Sequence, residues 1–458
     1  MFKLGKGKNK KIELTLLVHP QWLAGSSSED GRGRGFGGSA QDDAESTIGW
    51  NQERARQIRL LEVRGVLPEH VTCPETTLTF ATGARGGTVP KKSNFACGSC
   101  GTAQDILQSI KATHKTGPMA GYAIQGYSKK RKNDEQNYGG RFFLQFDTRL
   151  AHQYGTALVE WEKRKAEDLF DFWPRSAIPF GFMTHMNNGG IPNHGFTHWW
   201  TMLNPRQLLA LSLLLKAIMT AHKYSWSTRE FVLGGFQNFL RNQNSFSFWH
   251  MTLDKLAPAL SNSNFHPKAN VIEVGMFPPV GYGPWTSTIE VLDKSLAWSK
   301  QPWELVSKDQ LEDMAPNIAA VIGGKSEKAL IGDCPSNRQD IRACSSTELG
   351  DIQTGTIDLV ITDPPFGELL HYSELSDFFY VWLRLVLKDK YPEIFGADFT
   401  PKSMEAVSNR AREPEDPDGF YQRLLTACWK EAHRILKPSG MLTFTFHHSE
   451  GRAVGFGA

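Results

Sequence analysis

Cysteine is scarce in this chain, six residues among 458, which excludes a disulfide-stapled scaffold. The close pair Cys97 and Cys100 points instead to a metal or redox role. Long apolar runs are missing as well. The longest, Leu208 to Met219, is interrupted by Lys216 and falls short of the roughly 20 residues that span a bilayer, so no transmembrane helix is expected and no membrane partner. Near the N-terminus, Lys3 to Lys11 followed by Leu16 to Val18 mimics a secretory signal, but Glu13, Thr15 and His19 leave too short an apolar core. The expected compartment is the cytoplasm. Neither charge sign dominates: 51 Lys and Arg face 48 Asp and Glu, a net +3, so attraction to nucleic acid must come from local patches. A hydrophobic share of 40%, a charged share of 22% and a mean hydropathy of −0.38 exclude a collagenous, wholly disordered or membrane-spanning chain. The length fits roughly two to four domains.

Composition shifts divide the chain into residues 1–66, 67–150, 151–325 and 326–458. In the first stretch, a short strand at Ile12 to Val18 precedes a Gly-, Ser- and Asp-rich loop from Gly25 to Ala44, whose Arg32 to Gly35 run reads as a solvated linker or a phosphate contact. Helix begins at about Asn51. Leu67 to Ala103 is dominated by Thr, Gly, Pro and Cys, a composition that suits a small metal-stapled module. The basic run Lys129 to Lys132 reads as a solvated loop, and Phe142 to Phe146 as a strand.

Asn204 followed by Pro205 opens a helix, with Asn as N-cap and Pro in the first turn. Leu208 to Ala221 continues it with apolar residues on nearly all sides, so burial is expected. Ser227 and Glu230 have the spacing of a capping box, with Phe231, Phe236, Phe239 and Leu240 following as core. Asn242 to His266 and Val271 to Trp285 read as irregular connections.

The last third changes character. Ile357 to Ile361 is short, rich in β-branched residues and broken by Asp358 alone, as expected of a parallel strand covered on both faces. Phe420, Leu424, Leu425, Cys428, Ala432, Ile435 and Leu436 mark one face of a helix ended by Pro438 and Gly440, and Met441 to Phe446 reads as the next strand. Strand, crossover and strand form the repeating unit of an α/β domain, whose ligands gather at the carboxyl ends of the strands. That places Asp363 and His447 on one functional edge.

Directly after the first of these strands come Thr362, Asp363, Pro364, Pro365 and Phe366. Two prolines cannot continue a ladder and force a rigid turn. An exocyclic amine conjugated to a purine ring is a poor nucleophile, and it improves when acceptors take its hydrogens and let the nitrogen become tetrahedral. The Asp363 carboxylate and the Pro364 carbonyl are such acceptors, and Phe366 supplies a ring on which an extruded base can stack. Elsewhere the tetrapeptide would be merely a turn; here it follows a strand and precedes a helix.

Ile357 to Phe366, followed by His371 to Trp382 (HYSELSDFFYVW), resembles the prokaryotic adenine-specific DNA methylases that contain a zinc ribbon, a group often found with anti-phage defence genes. The resemblance extends through Thr400, Pro401, Lys402 and Leu436 to His448, with further matches at Gly86 to Pro90 and Asn204 to Leu208. It implies transfer of a methyl group from S-adenosylmethionine to the N6 amine of adenine in DNA, on a Rossmann-like sheet that is incomplete in this chain, with an inserted zinc-ribbon-like β module and a helical region. The family's catalytic tetrapeptide maps onto Asp363, Pro364, Pro365 and Phe366. Gly332 with Asp333 resembles the acidic position that helps hold the cofactor's adenosine.

Two departures stand beside these matches. The fold binds its methyl donor with a glycine-rich loop after the first strand, and none is evident here: Val271 to Gly283 has the glycines, but Pro278 and Pro279 obstruct the helix that should follow. The sheet also ends soon after Met441 to Phe446. The chain therefore reads as an internal segment, with a companion polypeptide carrying the cofactor loop and other phage-defence proteins as partners. Two alternatives stay open: a methyltransferase acting on a base amine of RNA, and a non-catalytic DNA-binding or scaffold subunit.

Cys97 and Cys100 flank Gly98 and Ser99 in the knuckle spacing that brings two thiolates to one tetrahedral zinc. Cys73 with His70 can complete the set as His70, Cys73, Cys97 and Cys100. The family uses further cysteines near Tyr127, where this chain has Ser128 and Arg131, so a metal-free packed ribbon is the alternative. The cluster His185, His194, His198, Trp199 and Trp200 has the spacing of a loop more than of a metal site, and Cys334, Cys344 and Cys428 lack ligand-like neighbours.

Overall fold

A computed structural model describes residues 2–6, 11–18, 44–74, 79–81, 94–96, 102–113, 121–129, 140–250, 255–268, 271–278, 281, 283–300, 303–306, 318–321, 328–331, 340–342 and 344–445. Its architecture is α/β in the broad sense, helices mixed with small sheets. Among the described residues no helix is long and apolar enough to cross a membrane.

Strands β1 (Phe2–Lys6) and β2 (Lys11–Val18), then helix α1 (Ala44–Gln57) and β3 (Leu60–Arg64), open the chain. The three strands form one antiparallel sheet in the order β1-β2-β3. Three short antiparallel pairs follow: β4 (His70–Thr72) with β5 (Thr79–Ala81), β6 (Asn94–Ala96) with β7 (Ala103–Asp105), and, after α2 (Ile106–Thr113), β8 (Ala123–Tyr127) with β9 (Arg141–Gln145). The strand expected at Phe142 to Phe146 is β9, one residue earlier.

Helix α3 (Thr148–Arg164) starts where the Asp147 side chain accepts from the Leu150 N–H at 2.9 Å. Its buried stripe of Ala151, Leu158 and Trp161 faces the core. Trp161 meets Trp173 edge-on at 5.4 Å, and Trp173 meets Trp200 at 6.2 Å. Helix α4 (Pro205–Thr220) has the expected cap: Asn204 Oδ1 accepts from the Gln207 N–H at 2.9 Å, and Gln207 Oε1 accepts from the Asn204 N–H at 3.0 Å. Leu208, Leu211, Leu215 and Ile218 are buried, as their spacing implied.

Helix α5 (Trp226–Leu240) departs from expectation at its start. Ser225, not Ser227, accepts from the first turn, taking the Thr228 N–H at 3.2 Å. Glu230 is drawn away from a capping box by the Tyr391 hydroxyl, which donates to it at 2.6 Å. Phe236, Phe239 and Leu240 are buried, whereas Phe231 is exposed. A hairpin of β10 (Phe248–His250) and β11 (Lys255–Ala257) follows. After it come α6 (Trp285–Lys300), β12 (Trp303–Val306), β13 (Ile318–Val321) and β14 (Lys328–Ile331). These three strands form an antiparallel sheet in the order β12-β14-β13.

The last third of the chain contributes β15 (Ile357–Thr362), α7 (Tyr372–Leu387), a single helical turn at Pro392–Phe395, α8 (Pro417–Ile435) and β16 (Leu436–Phe444). β15 and β16 pair in parallel, Leu359 beside Met441 and Thr362 beside Phe444. The strand–crossover–strand order expected from the sequence is therefore present. Pro438 does not end the helix; it lies within β16, where the register slips between Ile357 and Leu359, and such an irregularity tolerates a residue that cannot donate. The expectation that β15 is covered on both faces is corrected: Leu359 and Ile361 are 47% and 72% exposed. On the other face Phe444 meets Trp429 of α8 at 5.0 Å. An apolar run reports what a strand is made of, and coverage depends on which elements pack against it.

By contacts the chain divides into two units. The first comprises Met1–Leu233, Leu240–Gly275 and Pro365–Gln422; the second comprises Gly234–Phe239, Met276–Pro364 and Arg423–Ala458. In the first, Trp199 packs on Phe265 at 5.8 Å and on Phe378 at 6.3 Å, forming the aromatic centre of its core. In the second, Phe239 meets Trp285 at 5.7 Å. There Arg434 also ties its helix to the turn that precedes β15, donating to the carbonyls of Ile352 at 2.9 Å and Leu349 at 2.8 Å. Hydrogen bonds from Arg434 and the Leu349 N–H hold the Glu431 carboxyl down to about 2.

Candidate functional site

Asp363 follows β15 at the carboxyl end of the parallel pair, and its side chain is exposed. The ladder runs one step further than the strands, because the Thr445 N–H donates to the Thr362 carbonyl at 3.2 Å. That step brings the Thr445 hydroxyl onto Asp363 Oδ1, to which it donates. Oδ2 makes no hydrogen bond among the described residues. Pro364 to Gly367 are half-buried. The Tyr421 hydroxyl donates to the Pro365 carbonyl at 2.9 Å, while the Pro364 carbonyl accepts none among the described residues. Among the described residues, Asp363 Oδ2 and the Pro364 carbonyl thus accept no hydrogen bond, while the Pro365 carbonyl is pinned.

The turn after the motif is held by its own backbone. The Phe366 carbonyl accepts from the Leu369 N–H at 3.1 Å, and the Gly367 carbonyl from the Ser408 N–H at 3.1 Å. Gly367 has φ +55°, a conformation that costs an L-residue energy and glycine little. Four residues on lies His371, fully buried, its ring against Phe182 at 4.7 Å. Neither imidazole nitrogen makes a hydrogen bond of good geometry, and burial pushes its pKa below the ordinary value.

The first turns of α7 carry two buried carboxylates, each fully engaged. Glu374 accepts from the N–H groups of Phe182 at 3.2 Å and Met183 at 2.7 Å and from the Asn409 amide at 2.6 Å. Gly181 makes room for it, since a Cβ there would stand 2.6 Å from the carboxylate. Asp377 accepts from the Thr400 N–H at 3.0 Å and hydroxyl at 2.7 Å, and from Lys402 at 2.7 Å. Glu405 takes the Ser373 N–H at 2.8 Å, and the Arg412 guanidinium stands 3.8 Å from it. Thr400 and Lys402, singled out in the sequence, thus clamp α7 rather than project from it.

The other nominated residues fare as follows. His70 lies exposed on β4, and Cys73 just beyond it is buried. Cys97 and Cys100 lie outside the described residues, as do Gly332, Asp333, His447 and His448. Among the described residues no group of three potential ligands is close enough to hold a metal. His185, His194 and His198 sit on a run of single turns, as a loop reading implied. Nδ1 of His185 is bonded to the Thr184 hydroxyl at 2.9 Å, and Nδ1 of His198 to that of Thr197 at 3.0 Å.

Sequence reasoning missed Thr445 and Tyr421, which lie 82 and 56 residues from their partners in the motif. It also missed the π-helical turn Phe182–Met186 that rests on α7. No protein-family model, curated protein or solved structure matches this chain.

Proposed function

We propose that the chain carries the amine-binding half of an S-adenosylmethionine-dependent DNA methyltransferase, directed to the N6 amine of adenine. In this reading β15 and β16 belong to a Rossmann-like sheet. Residues 67–150 form a zinc-ribbon-like module with His70, Cys73, Cys97 and Cys100 as ligands, and the protein works in the cytoplasm in phage defence. The observation that supports it is an acceptor pair after β15 that takes no donor among the described residues: Asp363 Oδ2, on an exposed carboxylate whose other oxygen is occupied by Thr445, and the adjoining Pro364 carbonyl. Acceptors without donors suit a ligand that brings two N–H groups, as an exocyclic amine does.

The chain's own residues then act on the nucleophile. Thr445 fixes the carboxylate rotamer, so that Oδ2 accepts one amine hydrogen while the Pro364 carbonyl accepts the other. Withdrawing both hydrogens from the ring plane localises the nitrogen lone pair. Tyr421, by holding the Pro365 carbonyl, keeps the two-proline turn from relaxing. Phe366 offers its ring to the face of the flipped base. Bound S-adenosylmethionine supplies the methyl group as an electrophile; Gly332 and Asp333, with a companion segment bearing the glycine-rich loop, are the proposed cofactor contacts. As the amine acquires its fourth bond it loses a proton, for which Asp363 Oδ2 is the nearest base.

The test is methyl transfer to adenine-containing duplex by the full chain and by Asp363→Ala. The variant is expected to lose activity with its melting temperature nearly unchanged, because an exposed carboxylate contributes little packing. Equal activity in the two proteins overturns the assignment.

A further inference from the structure

Two residues before the π-helical turn, Phe180 stands 65% exposed, flanked by Pro179 and Gly181. A lone exposed phenylalanine is ordinary; this one is part of a built arrangement. Its ring meets that of His185 at 5.1 Å with the planes tilted by 46°. The turn beneath is anchored twice: Glu374 takes the N–H groups of Phe182 and Met183, and the Phe182 ring lies against the buried His371. Arg410 lies over the Phe182 ring at 5.9 Å, its guanidinium paired with the Glu368 carboxylate at 3.2 Å. The Phe180 and His185 rings are therefore presented together, on backbone held by a buried carboxylate.

Hydrogen-bond counting fixes the histidine. The Thr184 hydroxyl has one hydrogen, and the Pro179 carbonyl, which cannot donate, takes it at 2.9 Å. The hydroxyl must then accept from His185, so Nδ1 carries the ring proton and Nε2 is the acceptor. Burial lowers the His185 pKa and keeps the ring neutral near pH 7, against the opposing pull of Glu374. A neutral acceptor edge beside an exposed aromatic face is the chemistry that reads an unpaired nucleobase, face by stacking and amino group by hydrogen bond.

We infer that Phe180 and His185 form a stacking platform for one unpaired base of the DNA strand. The inference rests on the reading of DNA as substrate and adds a contact outside the catalytic motif. A strand whose target base is drawn out leaves neighbouring bases unstacked, and a fixed ring pair compensates for the lost stacking.

Fluorescence anisotropy of the full chain tests this with two labelled single strands of equal length, one bearing bases and one abasic throughout. The base-bearing strand is expected to bind Phe180→Ala about 5- to 150-fold more weakly than wild type, the range typical of one base–aromatic stack. Phe180→Trp should bind it like wild type, and the abasic strand should bind all three proteins equally. Because Phe180 is exposed, its truncation leaves the fold intact, and an unchanged melting temperature verifies that. Equal affinities of Phe180→Ala and wild type for the base-bearing strand overturn the inference, as does an equal loss on the abasic strand. Methylation is not read in this assay. Base-dependent binding together with equal methyl transfer by wild type and Asp363→Ala would overturn the role of Asp363 and leave the platform standing; methyl transfer that depends on Asp363, with Phe180→Ala binding normally, would do the reverse.

Discussion

At the scale of the residue, the motif's chemistry depends on which oxygens are already engaged. Asp363 Oδ1 is held by Thr445, and that leaves one oxygen directed by a fixed rotamer. Thr445→Val is isosteric and removes the donor, so it should slow methyl transfer about fivefold, the equivalent of one hydrogen bond near 1 kcal/mol. Thr445→Ser should restore the rate, and single-turnover kinetics separate the three proteins. An unchanged Thr445→Val rate would show that Asp363 orients itself. Asp363 was legible in the sequence because a carboxylate and two prolines directly after a β-branched run have a local physical meaning. Thr445 and Tyr421 were not, because a hydroxyl gains its role from a carbonyl or carboxylate brought near by the parallel pairing, and no spacing rule connects positions 82 residues apart.

At the scale of the element, α7 is held at its N-terminal end by buried polar groups that local sequence does not announce as partners. Glu374 reaches a turn 192 residues away in the chain, and Asp377 is fully buried against Lys402. The α4 cap was legible, since Asn204 and Gln207 are three residues apart and find each other without tertiary help. The α5 cap was misjudged because Tyr391 captures Glu230. The N-cap of α7, His371, makes a pH prediction. Its folded-state pKa is depressed from the ordinary 6.5 by burial, the Arg412 charge adding to that while Glu405 and Glu368 oppose it. The folded protein thus binds fewer protons at this site than the unfolded chain, so stability is full above pH 6.5 and falls as pH drops below it. His371→Phe preserves the ring against Phe182 and removes the titration. Its melting temperature should fall less between pH 7 and pH 5 than that of wild type, measured calorimetrically. Some slope will persist from His185 and His266, which are shifted in the same direction for the same cause. Parallel curves for the two proteins would mean that His371 takes up protons equally in the folded and the unfolded chain.

At the scale of the whole molecule, the broad α/β character was legible, and so was the parallel pairing around the motif. Coverage of β15 was not, because the exposure of Leu359 and Ile361 is decided by neighbouring elements and not by the strand's own composition. On the proposed reading a methyl donor needs more than the Asp363 acceptor site, and no glycine-rich loop opening a helix follows a strand in the sequence. Isothermal titration of the full chain with S-adenosylmethionine should accordingly show no low-micromolar binding. Tight binding would place a cofactor loop within these residues, with Val274 to Gly283 the first segment to mutate.

The central claim, that the Asp363 carboxylate prepares an adenine amine for methylation, is tested most directly by the product. Full-length protein is incubated with adenine-containing duplex and labelled S-adenosylmethionine at millimolar concentration, which compensates for weak cofactor binding, and the digested nucleosides are separated. The account predicts label in N6-methyladenine from wild type and none from Asp363→Ala; label confined to another base, or equal label from both proteins, would contradict it.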